Sequence, residues 1–496
     1  MSEQNYPHYP LLIDGEWVQG KEGRVFDSIN PATGQKWATF ACAEVDDVDR
    51  AVKAARRVLS QSNWGGLTQT QRGALLYKLA DLLEQHSQTL GEIETTDSGK
   101  LAAETMSQAK YVANYYRYYA GLADKIEGQT LPIDKPDMHV FTKPEPIGVV
   151  AAVVPWNAQM FLTATKLAPA LAAGCSVVIK ASEVAPAAIL EFAKLIGEAG
   201  FPDGVVSVIT GDAEGCAIPL TSHPDIDRLA FTGGPETAKH VVRNTANNFA
   251  VTSLELGGKS PILVFDDADL ESATNGIIAG NFGASGQSCV AGSRVYVQRP
   301  LYDKIIALLL EKTKQIVVGN PLDSATHIGP LCTMAQIECI ESTLVKAKEQ
   351  GAKILSGGQR LSDLGSEHYF EPTIVECPTD DIETLKVEMF GPVLSIACFD
   401  SEEEAIVLAN DSQFGLGSGL FTENLSRAMR VSQKIQSGIC WVNTYRAVSP
   451  IAPFGGVNQS GYGREAGIQA IQDYIRIRTT WISTSSEPMG NPFVMR

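Results

Sequence analysis

The nine cysteines of this 496-residue chain include no C-x-x-C pair, and their number is odd. That usage suits a reducing compartment rather than a disulfide framework. The seven histidines show no H-x-x-x-H or similar spacing, so no metal is expected. No stretch reaches the roughly 20 apolar residues of a membrane span, because Pro155, Gly174 and Lys180 interrupt the best candidates. The opening Met1-Ser2-Glu3-Gln4-Asn5 lacks the basic and apolar regions of a signal peptide. A cytoplasmic location is therefore expected. Positive charge is also scarce: the formal net charge is −17, which argues against nucleic acid or an anionic membrane as main partner.

Two phosphate-binding fingerprints are incomplete. Gly258-Lys259-Ser260 ends like a P-loop, but the earlier glycine position holds Ser253. Gly461-Tyr462-Gly463 starts like a dinucleotide fingerprint, yet its third glycine is misplaced and no strand precedes it. Repeats and low-complexity tracts are missing too.

What is present is a rhythm. Residues 11–40 read as short strands with turns at Asp14-Gly15 and Pro31–Gly34. From Val45 to about Leu122 the spacing is helical, and the tyrosines at 111, 115, 118 and 119 read as packing. Prolines keep 128–146 extended. Strands then alternate with helices: Gly148–Val154, Gln159–Ala173, Ser176–Lys180, Pro186–Ala199, Val205–Ile209, Ala213–Ser222, Arg228–Phe231, Pro235–Asn247 and Thr252–Leu256. Such alternation implies right-handed βαβ units and a parallel sheet, whose ligands lie at the carboxyl ends of the strands. Asn157, Lys180, Gly233 and Glu255 all fall there. A second alternating series follows, at 262–265, 271–281, 294–298, 302–317, 402–409, 417–422, 424–435 and 439–443.

The fold class expected is α/β, with two parallel-sheet domains, one Rossmann-like for a cofactor and one carrying a thiol, plus a small β element. The boundaries are 1–127 with 147–256 for the first domain, 257–470 for the second, and 128–146 with 471–496 for the β element and tail.

The thiol is Cys289, in Asn281-Phe282-Gly283-Ala284-Ser285-Gly286-Gln287-Ser288-Cys289-Val290-Ala291-Gly292-Ser293-Arg294. Most cysteines are simply buried apolar residues. Here small residues crowd the sulfur, leaving the access that a nucleophile needs. Leu254-Glu255-Leu256-Gly257-Gly258 ends an apolar run with a carboxylate, and Val153-Val154-Pro155-Trp156-Asn157 ends one with an amide. Phe231-Thr232-Gly233-Gly234-Pro235 is a strand, a glycine turn and a helix start able to hold a phosphate.

These frames, with Glu388-Met389-Phe390-Gly391-Pro392 and Pro453-Phe454-Gly455-Gly456, resemble the aldehyde dehydrogenase superfamily from about Leu12 to about Trp481. The resemblance implies oxidation of an aldehyde to a carboxylic acid with NAD, and less readily with NADP. It implies Cys289 as nucleophile, Asn157 with the Cys289 N–H as oxyanion hole, Glu255 as general base, and Lys166 and Glu465 as a proton relay. It assigns the cofactor to Pro155, Trp156, Lys180, Glu183, Gly233, Gly234, Leu256, Gly257, Glu388 and Phe390. Ala181 replaces a usual proline, and Ala238 a common glycine, adding a methyl where the pyrophosphate would approach. The extended segment and tail match the element that pairs subunits, implying a homodimer or homotetramer.

Two alternatives stand beside this reading: a relative that transfers the acyl group to coenzyme A, and a non-catalytic binding protein on the same scaffold. Glu255 speaks against the first, and Cys289, Asn157 and Glu255 together against the second. A cofactor-free thiol hydrolase lacks a histidine near any of these frames. In the family the helix after Asn157 lines the aldehyde tunnel, often with aromatic rings. Here the corresponding residues are Ala158, Leu162 and Thr165, so a roomier tunnel is expected. Arg446 falls at the tunnel mouth, which favours polar or anionic aldehydes.

Overall fold

The computed structural model describes residues 6–494. Val149–Val154, a run of six small apolar residues, forms a central strand of the first large sheet. Such a strand must be covered on both faces, as parallel strands are. Its neighbours are Arg228–Thr232 on one side and Ser176–Ala181 on the other, both parallel to it. Val251–Glu255 and Val206–Ile209 extend the parallel core outward. Leu11–Ile13 and Glu16–Val18 close one edge antiparallel, and Gly461–Tyr462 closes the other, giving eight strands.

The helix Gln159–Ala173 is buried along nearly its whole length, as its apolar composition demands. It ends at Gly174, whose φ of 94° is the left-handed conformation that glycine adopts cheaply at a helix end.

The second sheet has seven strands, parallel except for one edge. Its order is Lys353–Ser356, Thr373–Glu376, Val393–Phe399, Arg294–Gln298, Pro261–Val264, Gly417–Phe421 and Ile439–Val442. Three of these strands and the helix Met334–Glu349 lie in a stretch from which the sequence pattern yields no element. For two of the strands the reason is length and punctuation: each has four residues, and Gly351, Gly357, Gly358 and Gly365 crowd around them.

A separate ribbon pairs Met138–Pro146 with Ile475–Ser483. Residues 461–474 follow the second sheet in the chain but return to the first: Ala466, Ala470, Ile471 and Tyr474 are in its core. That return brings Glu465 beneath the strand carrying Glu255. Among the described residues, no helix is long and apolar enough to cross a membrane.

Candidate active site

The segment before the thiol is bent by its own backbone. Ala284, Ser285 and Gly286 have φ of 54°, 55° and 75°, three left-handed residues in succession. Two non-glycine residues in this region are strained, and their neighbours hold them there. Ala284 donates its N–H to Glu104 Oε1, and the Ser285 hydroxyl meets Gly329. Gln287 accepts the Cys332 N–H through Oε1 at 2.9 Å. Cys289 then emerges half-buried on the wall of a cavity of about 520 Å³.

The Asn157 side-chain amide shares that wall and donates to the Gln287 carbonyl at 3.1 Å, two residues before the thiol. Gly258 lets the segment after Glu255 approach, since a Cβ there would lie 2.6 Å from the Cys289 carbonyl oxygen. Burial pushes the Cys289 thiol up to about 12, with Glu388 and Glu255 adding to the rise and Arg446 opposing it. The protein's own carboxylates thus resist a thiolate, so an added positive charge beside the sulfur would activate it.

Glu255 ends its strand almost fully buried, and neither carboxylate oxygen has a hydrogen-bond partner among the described residues. Burial raises it well above the usual carboxylate value. The Glu465 charge raises it further, while Lys166 and Arg464 pull it down. Lys166 is buried and bonds both Glu465, at 2.5 Å, and the Thr232 hydroxyl, at 2.6 Å. Thr165 does not line the cavity as expected. Its hydroxyl donates to the other Glu465 oxygen at 2.6 Å, because its position on the helix faces the Lys166–Glu465 pair.

A second region adjoins the thiol. Glu388 accepts the Gly258 N–H at 3.0 Å and is raised to about 7, chiefly by burial. Gly257 makes its approach possible, because a Cβ there would lie 1.9 Å from Glu388 Oε2. Lys259, buried nearby, is lowered to about 7 by burial and by the Arg294 guanidinium. The rings of Trp156 and Phe390 meet edge to face at 5.6 Å. Lys180, nearly buried at the end of its strand, pairs with the half-exposed Glu183 at 2.5 Å.

At the start of helix Pro235–Thr245, Gly234 is the N-cap, and a Cβ there would meet nothing within 4 Å. This leaves an open approach to the helix N-terminus, and with the paired Lys180 and Glu183 and the buried Glu388 it fits a dinucleotide. Pro155, Gly233 and Leu256 flank the same strand ends. Ala238 turns its methyl into the buried core with Phe231 and Val241, so the helix N-terminus stays unobstructed.

One wall of the cavity has no counterpart in the sequence reading. Lys100, Ala103, Glu104, Ser107, Gln108 and Tyr111 line it at helical spacing. Tyr111 is not packing alone: its hydroxyl donates to the Val448 carbonyl at 2.9 Å. A polar stripe with one half-exposed ring at i, i+4, i+7 and i+11 was the only available signal, and it reads equally as a solvated face. Ala158, Phe161, Leu162, Val290 and Phe454 form the apolar side.

Residues 17–480 match the family model described as "Aldehyde dehydrogenase family". The chain is 54% identical over 489 residues to a (Z)-2-((N-methylformamido)methylene)-5-hydroxybutyrolactone dehydrogenase of Acinetobacter baylyi, covering 98% of this chain and 99% of the relative. Among solved structures, betaine aldehyde dehydrogenase from Staphylococcus aureus in complex with NAD+ superposes with a TM-score of 0.96 at 37% identity, over 98% of this chain and 97% of that one. An NAD+ complex of an aldehyde dehydrogenase from Bacillus cereus gives 0.94 at 39% identity, over 96% and 97%. With the family model spanning almost the whole chain and these relatives covering both partners nearly end to end, the chain belongs to the aldehyde dehydrogenase family.

Proposed function

We propose that this protein oxidises an aldehyde to a carboxylic acid with NAD, through a covalent acyl group on Cys289. The observation that carries the reading is a thiol and an amide donor on one cavity wall, with an unpartnered buried carboxylate, Glu255, close enough to act on the thiol through its charge. Cys289 sulfur adds to the aldehyde carbon, and the oxygen that gains charge is held by the Asn157 amide and the Cys289 N–H. When bound, NAD brings a positive ring that favours the thiolate and accepts the hydride that leaves the carbon. The acyl group is then a thioester on Cys289. Glu255 takes a proton from water, whose oxygen adds to the thioester carbon; the C–S bond breaks, releasing the acid and leaving Cys289 as thiolate and Glu255 protonated. Lys166, Glu465 and Thr165 set the charge around Glu255 and offer its proton a route onward.

Glu388 would hold the nicotinamide ribose, and Trp156 and Phe390 would wall the ring. Glu183 would accept hydrogen bonds from the adenosine ribose hydroxyls and would disfavour a 2′-phosphate, so NAD is preferred over NADP. Transfer to coenzyme A is disfavoured because Glu255 is poised to use water. A 5-hydroxybutyrolactone, as named for the Acinetobacter relative, is the ring-closed form of a 4-oxo acid. The polar wall supports a polar, oxygen-rich aldehyde of this kind for the present chain. We further propose self-association through the 138–146 and 475–483 ribbon, where Ile477 and Trp481 are exposed.

The test is NADH formation by the purified protein across aliphatic, aromatic and semialdehyde substrates, with the acid product identified. A protein that forms no NADH with any of them, though it binds NAD, would overturn the reading.

A further inference from the structure

Three charged side chains line the cavity: Lys100, Glu104 and Arg446. Lys100 is already committed, since its ammonium is buried against Glu94 at 3.2 Å and Gln108 at 3.3 Å. Glu104 is turned to the Ala284 N–H, and its second oxygen is shielded from solvent. Arg446 differs from both. Among the described residues it makes no ion pair, and its one hydrogen bond runs from Nη1 to the Ala279 carbonyl at 3.2 Å. Four of the five N–H donors of its guanidinium are left over.

The chain goes to some length to hold this guanidinium. Arg446 has a φ of 64°, a left-handed conformation unusual for a long side chain. The group lies against the backbone of Gly283, where a Cβ would be 2.0 Å from Nη1, so a side chain there would push the guanidinium out of this position. Tyr445, the preceding residue, is anchored by its hydroxyl to the Val290 carbonyl at 3.0 Å. Tyr111 fixes Val448 two residues beyond. The loop carrying the cation is therefore tied to the segment after the thiol and to the polar helix.

We infer that Arg446 is the specificity-determining residue of this site and that the substrate is an aldehyde with a carboxylate at its far end, which the guanidinium binds in its planar fork. The inference rests on the proposed aldehyde oxidation. An unpaired, partly exposed guanidinium on the cavity wall favours a carboxylate, which accepts two parallel N–H bonds and neutralises the charge, whereas a neutral ester does neither. Arg446 also acts on the thiol through its charge. That influence is common to every aldehyde, so it cancels when two substrates are compared on one enzyme.

The experiment compares kcat/KM for 4-oxobutanoate with that for its methyl ester, which has the same skeleton without the charge. Wild-type enzyme is expected to prefer the anion. In Arg446→Asn, which tolerates a left-handed backbone, the preference should fall about ten- to hundredfold, mainly through KM for the anion. Arg446→Lys should keep part of it, since it retains charge but not the fork. Succinate binding, followed by calorimetry without turnover, should weaken in the same order. A preference unchanged by both substitutions, or a wild-type enzyme indifferent to the charge, would overturn the inference. If both substrates are oxidised without discrimination, or neither is while other aldehydes are, the inference fails and aldehyde oxidation still stands; if no aldehyde is oxidised, that proposal fails instead.

Discussion

Gly257→Ala isolates the contact between the strand bearing Glu255 and the cofactor side of the site. The new methyl would stand 1.9 Å from Glu388 Oε2, 2.7 Å from its Cδ and 2.9 Å from Oε1. Such distances cannot persist, and the carboxylate, at the end of a rotatable side chain, is what must move. Moving it breaks the 3.0 Å bond from the Gly258 N–H and shifts the acceptor away from the proposed ribose position. A hydrogen bond to a charged group is worth about 1.5–3 kcal/mol, which corresponds to roughly 10- to 150-fold in affinity. Titration of NAD by fluorescence quenching and the KM for NAD should both rise by that order. The melting temperature should fall only a few degrees, because the clash is relieved by one side chain. A double-mutant cycle sharpens the test: Glu388→Ala alone should cause a similar loss, and adding Gly257→Ala should add little. Affinity for NAD within twofold of wild type in Gly257→Ala would refute the role given to Glu388.

Other expectations follow from the same geometry. Cys289→Ala should abolish oxidation and leave NAD binding near wild type in titration, whereas Cys175→Ala and Cys440→Ala should retain turnover. Lethality of either control with the fold intact would undo the assignment. Glu255 must be ionised to act as base, and burial and Glu465 raise it well above the ordinary 4.5. The rate of acyl release should therefore fall as pH drops through a range well above 4.5. Glu465→Gln removes a charge that raises Glu255, so the limb should move to lower pH. Pre-steady-state pH profiles of the release step check both the direction and the shift.

The legible parts of this molecule were those written in contiguous residues. Val149–Val154 is apolar throughout because both its faces are covered, and its place in a parallel sheet followed from the alternation of strands and helices. The strand-end positions of Asn157, Lys180, Gly233 and Glu255 followed from the same alternation. Features that depend on distant partners were not legible. Thr165 stands at a tunnel position by the family resemblance, yet it bonds Glu465, 300 residues away. Tyr111 looks like one more packing ring until Val448 is brought to it across 337 residues. Gly461–Tyr462 is too short to read as a strand, and only its pairing with Leu254–Glu255 reveals it. The strain at Ala284 and Ser285 also has no local signal, because neither residue type favours a left-handed backbone.

The central claim is that one thiol carries the acyl group and one buried carboxylate releases it. Mass spectrometry of Glu255→Gln, quenched after mixing with NAD and an aldehyde that the wild-type enzyme oxidises, tests both halves at once. The account predicts about one NADH formed per active site, and the peptide containing Cys289 heavier by the acyl group. Sustained turnover with an unmodified Cys289 peptide, or an acyl group found on any other residue, would contradict it.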